Sequence, residues 1–245
     1  MTSVLLGLVT VFFATCKLLQ QSTLESASWL GPVLAEAVHI CKVNATAALS
    51  ARATLRLWAM CMAFRLVEVA ARVESHASSL LESGVIEALE YACDNDFSYF
   101  NNSTSGFTAA ALVALVGRNE GGKTLGRSAV NAVLDSHAAY FDVDSQRYTY
   151  ACASITTLRT VITMAVSDAN KKLMLQHDKL LDSLVAGLIL DDSNPRRGQD
   201  GADDLQEACA GVLHELALYG PGAEALRSDK GAMDALRELA EAGTK

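Results

Sequence analysis

Apolar residues recur along this chain at helical spacing, and four short stretches repeat one arrangement. They are SGVIEALEYAC from Ser83, RSAVNAVLDSH from Arg127, DKLLDSLVAGL from Asp178 and KGAMDALRELA from Lys230. In each, two mostly apolar residues precede a polar one, which is followed by a small residue and then Leu or Val. The polar members are Glu87, Asn131, Asp182 and Asp234, separated by 44, 51 and 52 residues. A period of this size marks stacked repeat units. Three members of the column are carboxylates, and each is expected in the first turn of its helix, where the positive end of the helix dipole favours negative charge.

A second helical stretch lies upstream of each copy: TLRLWAMCMAFRLVEVAARV, GFTAAALVALV, YACASITTLRTVITMAV and DLQEACAGVLHELAL. Their apolar residues cover too much of the circumference for helices with a solvent face, so all four are expected to be sandwiched between neighbours. The last unit carries the clearest punctuation. Asn194-Pro195 reads as a cap followed by a proline at the first helical position. YGPG then breaks the helix DGADDLQEACAGVLHELAL, AEALR turns the chain, and GAMDALRELAEAG closes with Gly243 as its C-cap.

The stretch NPRRGQDGADDLQEACAGVLHELALYGPGAEALRSDKGAMDAL resembles an armadillo repeat, and LLESGVIEAL at 80–89 resembles the opening of that repeat's third helix. The resemblance covers roughly residues 51–245 and implies an all-α fold, an α-solenoid of about four ARM- or HEAT-like repeats. The approximate units are 51–95, 104–141, 146–192 and 194–245, after an irregular N-terminal helical segment, 1–50, that serves as a cap or an apolar anchor. It also implies a non-enzymatic scaffold for protein–protein interaction, with the third helices lining a concave groove.

Composition agrees with the helical reading. Aromatics make up 6 % of the 245 residues and prolines number three, whereas Ala and Leu, strong helix formers, recur throughout. The formal charge of −8 argues against nucleic acid, which needs clustered Lys and Arg. It points instead to protein partners with basic segments. The six cysteines are Cys16, Cys41, Cys61, Cys93, Cys152 and Cys209; no C-x-x-C pair occurs among them. Those within Ala-rich apolar strings are expected to be buried, reduced thiols of an intracellular, cytoplasmic protein. The uncharged run VLLGLVTVFFATC, residues 4–16, resembles the apolar part of a secretory signal, which leaves a membrane-tethered or secreted helical protein as one alternative. No Lys or Arg precedes the run, and it falls short of the roughly 20 residues a bilayer-spanning helix needs, so a membrane partner is not expected.

GRNEGGKT at 117–124 matches the phosphate-loop pattern G-x-x-x-x-G-K-[ST]. Gly117 and Gly122 would wrap phosphates there, Lys123 would reach the terminal ones, and Thr124 would hold magnesium with Asp191. That loop requires a preceding β-strand, yet the preceding TAAALVALV is Ala- and Leu-rich. GRNEGGKT therefore reads as an inter-helix turn, with a P-loop nucleotide hydrolase kept as the alternative. Asp191 and Asp192 then read as solvated acids at the end of a third helix, and Arg196-Arg197 as a solvated loop pair. The five histidines form no H-x-x-x-H pair and read as surface or capping residues. No cofactor, metal or small-molecule substrate is expected. Candidate partner-binding residues lie in and after the shared column: Glu87, Glu90, Asp94, Asn131, Asp135, Asp182, Asp234 and Arg237, with Glu238 beside them. A groove lined by such acids suits Lys- and Arg-rich segments.

Overall fold

A computed structural model describes residues 30–45, 54–94, 102–116, 124–141, 151–191, 193–194, 196–198 and 202–242. Among these residues the fold is all-α, with twelve helices and no strand. None of these helices is long and apolar enough to cross a membrane. The apolar run 4–16 and the closing Gly243 lie outside the described residues. The chain divides into two compact units, Met1–Leu115 and Val116–Lys245.

In the first unit, α1 (Leu30–Ala45) buries Leu34, Ala37 and Val38, a helical i, i+3, i+4 stripe, against α2 (Thr54–Ala71) and α4 (Val85–Asp94). A short α3 (Glu74–Glu82) joins the latter two. Burial on α2 runs round the helix, through Ala63, Phe64, Leu66, Val67, Glu68, Ala70 and Ala71. A carboxylate there needs partners. Glu68, fully buried, accepts hydrogen bonds from the guanidinium of Arg65 and from Nε and Nη2 of Arg72 at 2.8 and 2.6 Å. α5 (Asn102–Val116) is likewise buried at six consecutive positions, Thr108 to Val113. Burial round the helix meets the expectation for α2, which packs on α1 and α3.

The second unit contains α6 (Arg127–Phe141), α7 (Ala151–Met164), α8 (Asp168–Met174), α9 (Leu180–Leu188), α10 (Ala202–Ala217), α11 (Gly220–Ser228) and α12 (Lys230–Ala242). α7, α8 and α9 form a triplet whose first helix is the longest and whose middle helix is the shortest, and so do α10, α11 and α12. Each helix of one triplet packs against its counterpart in the other: α7 on α10, α8 on α11 and α9 on α12, while α6 packs on α7, α8 and α9. In the first unit α2, α3 and α4 form a triplet of the same kind.

The bend between the first two helices of each triplet is the same structure three times. Its central residues are Val73 (φ −99°, ψ 116°), Ser167 (φ −90°, ψ 128°) and Tyr219 (φ −99°, ψ 122°). Each N–H donates to the carbonyl three residues back: to Ala70 at 3.0 Å, Met164 at 3.2 Å and Leu216 at 3.1 Å. Each carbonyl accepts from the amide four residues on: Ala77, Lys171 and Ala223, all at 2.9 Å. One extended residue thus redirects the chain while its own polar groups remain satisfied.

The sequence column has a matching physical basis. The residue two places before it is buried in all four helices: Val85, Ala129, Leu180 and Ala232. The column residue itself is exposed or half-exposed. Glu87 and Asp182 occupy first turns, as the dipole argument requires. Asp234 does not: α12 begins at Lys230, which leaves no acid in its first turn.

Two glycines permit close helix approach. A Cβ on Gly222 would lie 2.2 Å from the Leu216 carbonyl oxygen, and one on Gly187 would lie 2.5 Å from Cys209 Sγ. α10 differs from the sandwiched expectation. It buries a single stripe, Leu205, Cys209, Val212, Leu213 and Leu216, and leaves Asp203, Asp204, Glu207 and His214 in solvent. It also begins eight residues after Asn194, so Asn194 is not its N-cap.

Candidate functional site

α6 carries the polar constellation that ties it to the α8–α9 link and to the turn at Arg196. Its buried face is formed by Ala129, Val130, Val133, Leu134, His137 and Tyr140, spaced as one helical stripe. Asp135 points away from that face, 58 % exposed, yet its Oδ1 lies 3.1 Å from Nε2 of His177. His177 sits in the five-residue link between α8 and α9, where its N–H donates to Met174 O at 3.0 Å and its carbonyl accepts from Leu180 N–H at 3.1 Å. The link is tied to α6 a second time, by Arg127 donating to the Gln176 side-chain oxygen.

His137 follows Asp135 by two residues and so faces the opposite side of α6; it is 1 % exposed, its ring edge-on to Phe141 at a centroid distance of 5.4 Å. Burial lowers its pKa to about 4, and the charge of His177 adds to that effect. The buried Nε2 of His137 and Nδ1 of His177 meet no hydrogen-bond partner among the described residues. His39 and His214 are exposed as expected. His137 contradicts the surface-or-cap reading, because three of its helical neighbours on the same stripe are core residues and it continues their face inward.

The C-terminal end of α6 is closed by Arg196. Its Nε donates to Tyr140 O at 2.9 Å, Nη2 donates to the same carbonyl, and the guanidinium stands 4.0 Å from the Tyr140 ring centroid. A cation there complements the negative end of the helix dipole. Arg196 is therefore not a solvated loop residue, whereas Arg197 is exposed. Asn194 sets it in place. Its Oδ1 accepts from Arg196 N–H at 2.9 Å, and its Nδ2 donates to Ile189 O at 3.1 Å. The asparagine read as a helix start thus closes the end of the preceding helix.

The candidate binding residues separate by unit. Glu87 and Asp94 are exposed and Glu90 is half-buried, all on α4 of the first unit. In the second unit Asn131 and Asp135 lie on α6, Asp182 on α9, and Asp234 and Arg237 on α12, with Glu238 exposed beside them. α9 packs against both α6 and α12, so these side chains lie on α9 and on two helices in contact with it. Two of the acids already have cationic or ionisable neighbours: Asp135 has His177, and Asp234 has Arg237 at 2.8 Å.

Of the phosphate-loop residues, Gly117, Gly122 and Lys123 lie outside the described residues. Thr124 is exposed, and the run before the loop is helix α5 rather than a strand. Asp191 is exposed beyond the end of α9 and closes a tight turn, accepting hydrogen bonds from Ser193 Oγ at 2.5 Å and from Ser193 N–H at 2.8 Å. The Ser193 hydroxyl, then its amide, holds the Asp191 carboxyl below its ordinary pKa. Among the described residues no three His, Cys, Asp or Glu side chains are grouped to hold a metal. Cys93 and Cys209 are buried free thiols with pKa values pushed up to about 12, chiefly by burial. The side chains of Cys61 and Cys152 lie outside the described residues.

No protein family, curated protein or solved structure matches this chain.

Proposed function

We propose that the chain is a non-enzymatic scaffold for protein–protein interaction, an α-solenoid of armadillo-like units that takes up basic segments on the acidic side chains of α6, α9 and α12. The observation that supports this reading most is counterpart-on-counterpart packing, α7 on α10, α8 on α11 and α9 on α12, joined by the same bend. A repeat that stacks by translation presents equivalent positions in rows, and rows are what an extended partner engages. The resemblance to armadillo repeats leads to the same architecture by a different route. Helix α5 ahead of GRNEGGKT does not favour the nucleotide-hydrolase alternative, since a phosphate loop follows a strand.

Fluorescence anisotropy with a labelled Lys/Arg-rich peptide of ~15 residues tests the proposal, with an acidic peptide of equal length as control. Saturable binding that weakens as salt rises is expected, because exposed charges are screened. Asp182→Lys should weaken it about tenfold, equivalent to roughly 1.4 kcal/mol. Absence of saturable binding at low salt, or equal binding of the acidic peptide, would contradict the proposal.

A further inference from the structure

Among the described residues the second unit exposes two large apolar side chains, Val166 at 37 % and Leu218 at 65 %. Both stand immediately before the extended residue of a bend, Val166 before Ser167 and Leu218 before Tyr219. Scattered apolar residues on a surface need no explanation, but one slot filled twice in neighbouring triplets does. The slot itself does not require a hydrophobe. In the first unit it holds Arg72, exposed, whose guanidinium donates to Glu68.

The two bends lie side by side. α7 packs on α10 and α8 on α11, and Lys171 Nζ of α8 stands 3.9 Å from Glu215 Oε2 of α10. Ala169, Ala217, Gly220 and Pro221 are exposed next to Val166 and Leu218, so the bends together form an apolar ridge. The exposed charge within it, Asp168, is paired at 3.1 Å with the buried Lys171 ammonium. Five residues after each extended residue the exposed charges are opposite in sign, Lys172 on α8 and Glu224 on α11.

We infer that this ridge is a contact between two copies of the chain. A two-fold axis passing between the bends brings Val166 of one copy onto Leu218 of the other, and Lys172 onto Glu224. Each contact is made twice, as an isologous interface requires. Asp168 then meets the slot of Gly220, which carries no charge. Charges of one sign would call for an oppositely charged partner, whereas a plus and a minus at equivalent slots complement the same surface turned end over end. Size sets the strength. A standard interface takes about 20–30 residues a side and the ridge offers far fewer, so the dimer is weak, with a Kd on the order of 100 µM. The inference does not depend on what the third helices bind.

Sedimentation equilibrium of the full chain from ~10 µM to ~1 mM, a range that spans this Kd, tests the contact. The average mass should rise from one chain to two and stop there, because a two-fold contact is closed. Leu218→Asp, at a side chain already in solvent, should keep the helical content and weaken association at least about tenfold. Lys172→Glu and Glu224→Lys should each weaken it about tenfold by setting like charges together, and combining the two should restore association to within about threefold of the original. A mass of one chain throughout, growth beyond two chains, a dimer that survives Leu218→Asp, or single reversals that the combined variant does not correct would each overturn the two-fold ridge. Mass reads the dimer and anisotropy reads peptide uptake, so the failure of one leaves the other standing.

Discussion

The triplets α7–α9 and α10–α12 share a bend and a packing direction, but their second joints differ. Between α11 and α12 stands one residue, Asp229. Its N–H donates to Ala225 O and Leu226 O at the end of one helix, and its Oδ1 accepts from Ala232 N–H at 2.9 Å at the start of the next. Between α8 and α9 stand five residues, and Lys179 precedes α9 with no side-chain cap. That longer joint is held from outside, by Arg127 and Asp135 of α6. The short helices differ in the same sense. α11 buries Gly222 and Leu226, while α8 buries Asn170 and Lys171 beside Met174. The comparison shows that apolar spacing and the extended bend residue set the frame. The joints are then free to be tight and local, or long and dependent on a neighbouring helix.

The largest expected effect falls on the shared bend at Tyr219, between α10 and α11. Gly222→Ala places a methyl against backbone, the Leu216 carbonyl, which cannot rotate away. Overpacking of this kind should cost about 3 kcal/mol in chemical denaturation. Gly220→Ala, with nothing within 4 Å of the added carbon, should stay within about 0.5 kcal/mol. Equal losses from the two would show that the close approach is not what shapes the bend.

Acid should act through α6, the helix that holds the long joint. The lowered pKa of His137 means that stability is full above pH 6.5 and declines as pH falls toward 4, by roughly 3 kcal/mol at about 1.4 kcal/mol per unit. Denaturation midpoints at pH 7 and pH 4.5 measure the decline, and His137→Leu should remove most of it. Capping gives a smaller contrast. Asp229→Ala should cost about 1 kcal/mol through loss of the N-cap, and Lys179→Ala almost nothing, since no side-chain cap exists there. Comparable losses would contradict the contrast between the joints.

Much of this frame was legible in the sequence. The column that aligned Glu87, Asn131, Asp182 and Asp234 placed two mostly apolar residues ahead of a polar one, and the structure buries the first of the two in all four helices, because apolar spacing follows burial along each helix. Helix ends were less legible. Asn194 has the chemistry of an N-cap, but its side chain serves the end of α9 and the Arg196 turn instead, and local residue type cannot distinguish these uses. The pairing of Asp135 with His177 spans 42 residues, and no local pattern encodes it. His137 left only an ambiguous trace, since it stands at +6 from the column, a slot buried at Cys93 and Leu188 but exposed at Ala240. Arg196 had no comparable sign, since its partner Tyr140 is 56 residues away.

The smallest expected effect is none at all. Thr124→Ala, at an exposed residue ahead of α6, should leave stability within about 0.5 kcal/mol, and magnesium-ATP should not raise the melting temperature. A nucleotide site filled to a thousand times its Kd would add about 4 kcal/mol. A gain of that size would restore the nucleotide-hydrolase reading.

Counterpart-on-counterpart stacking is tested most directly by residue-resolved amide exchange in the Gly222→Ala variant at pH 7. In a stack, each unit is stabilised mainly by its neighbours. Exchange should therefore accelerate most in α10, α11 and α12, less in α7, α8 and α9, and least in α6. A uniform acceleration from α6 to α12, the response of one undivided core, would contradict the account.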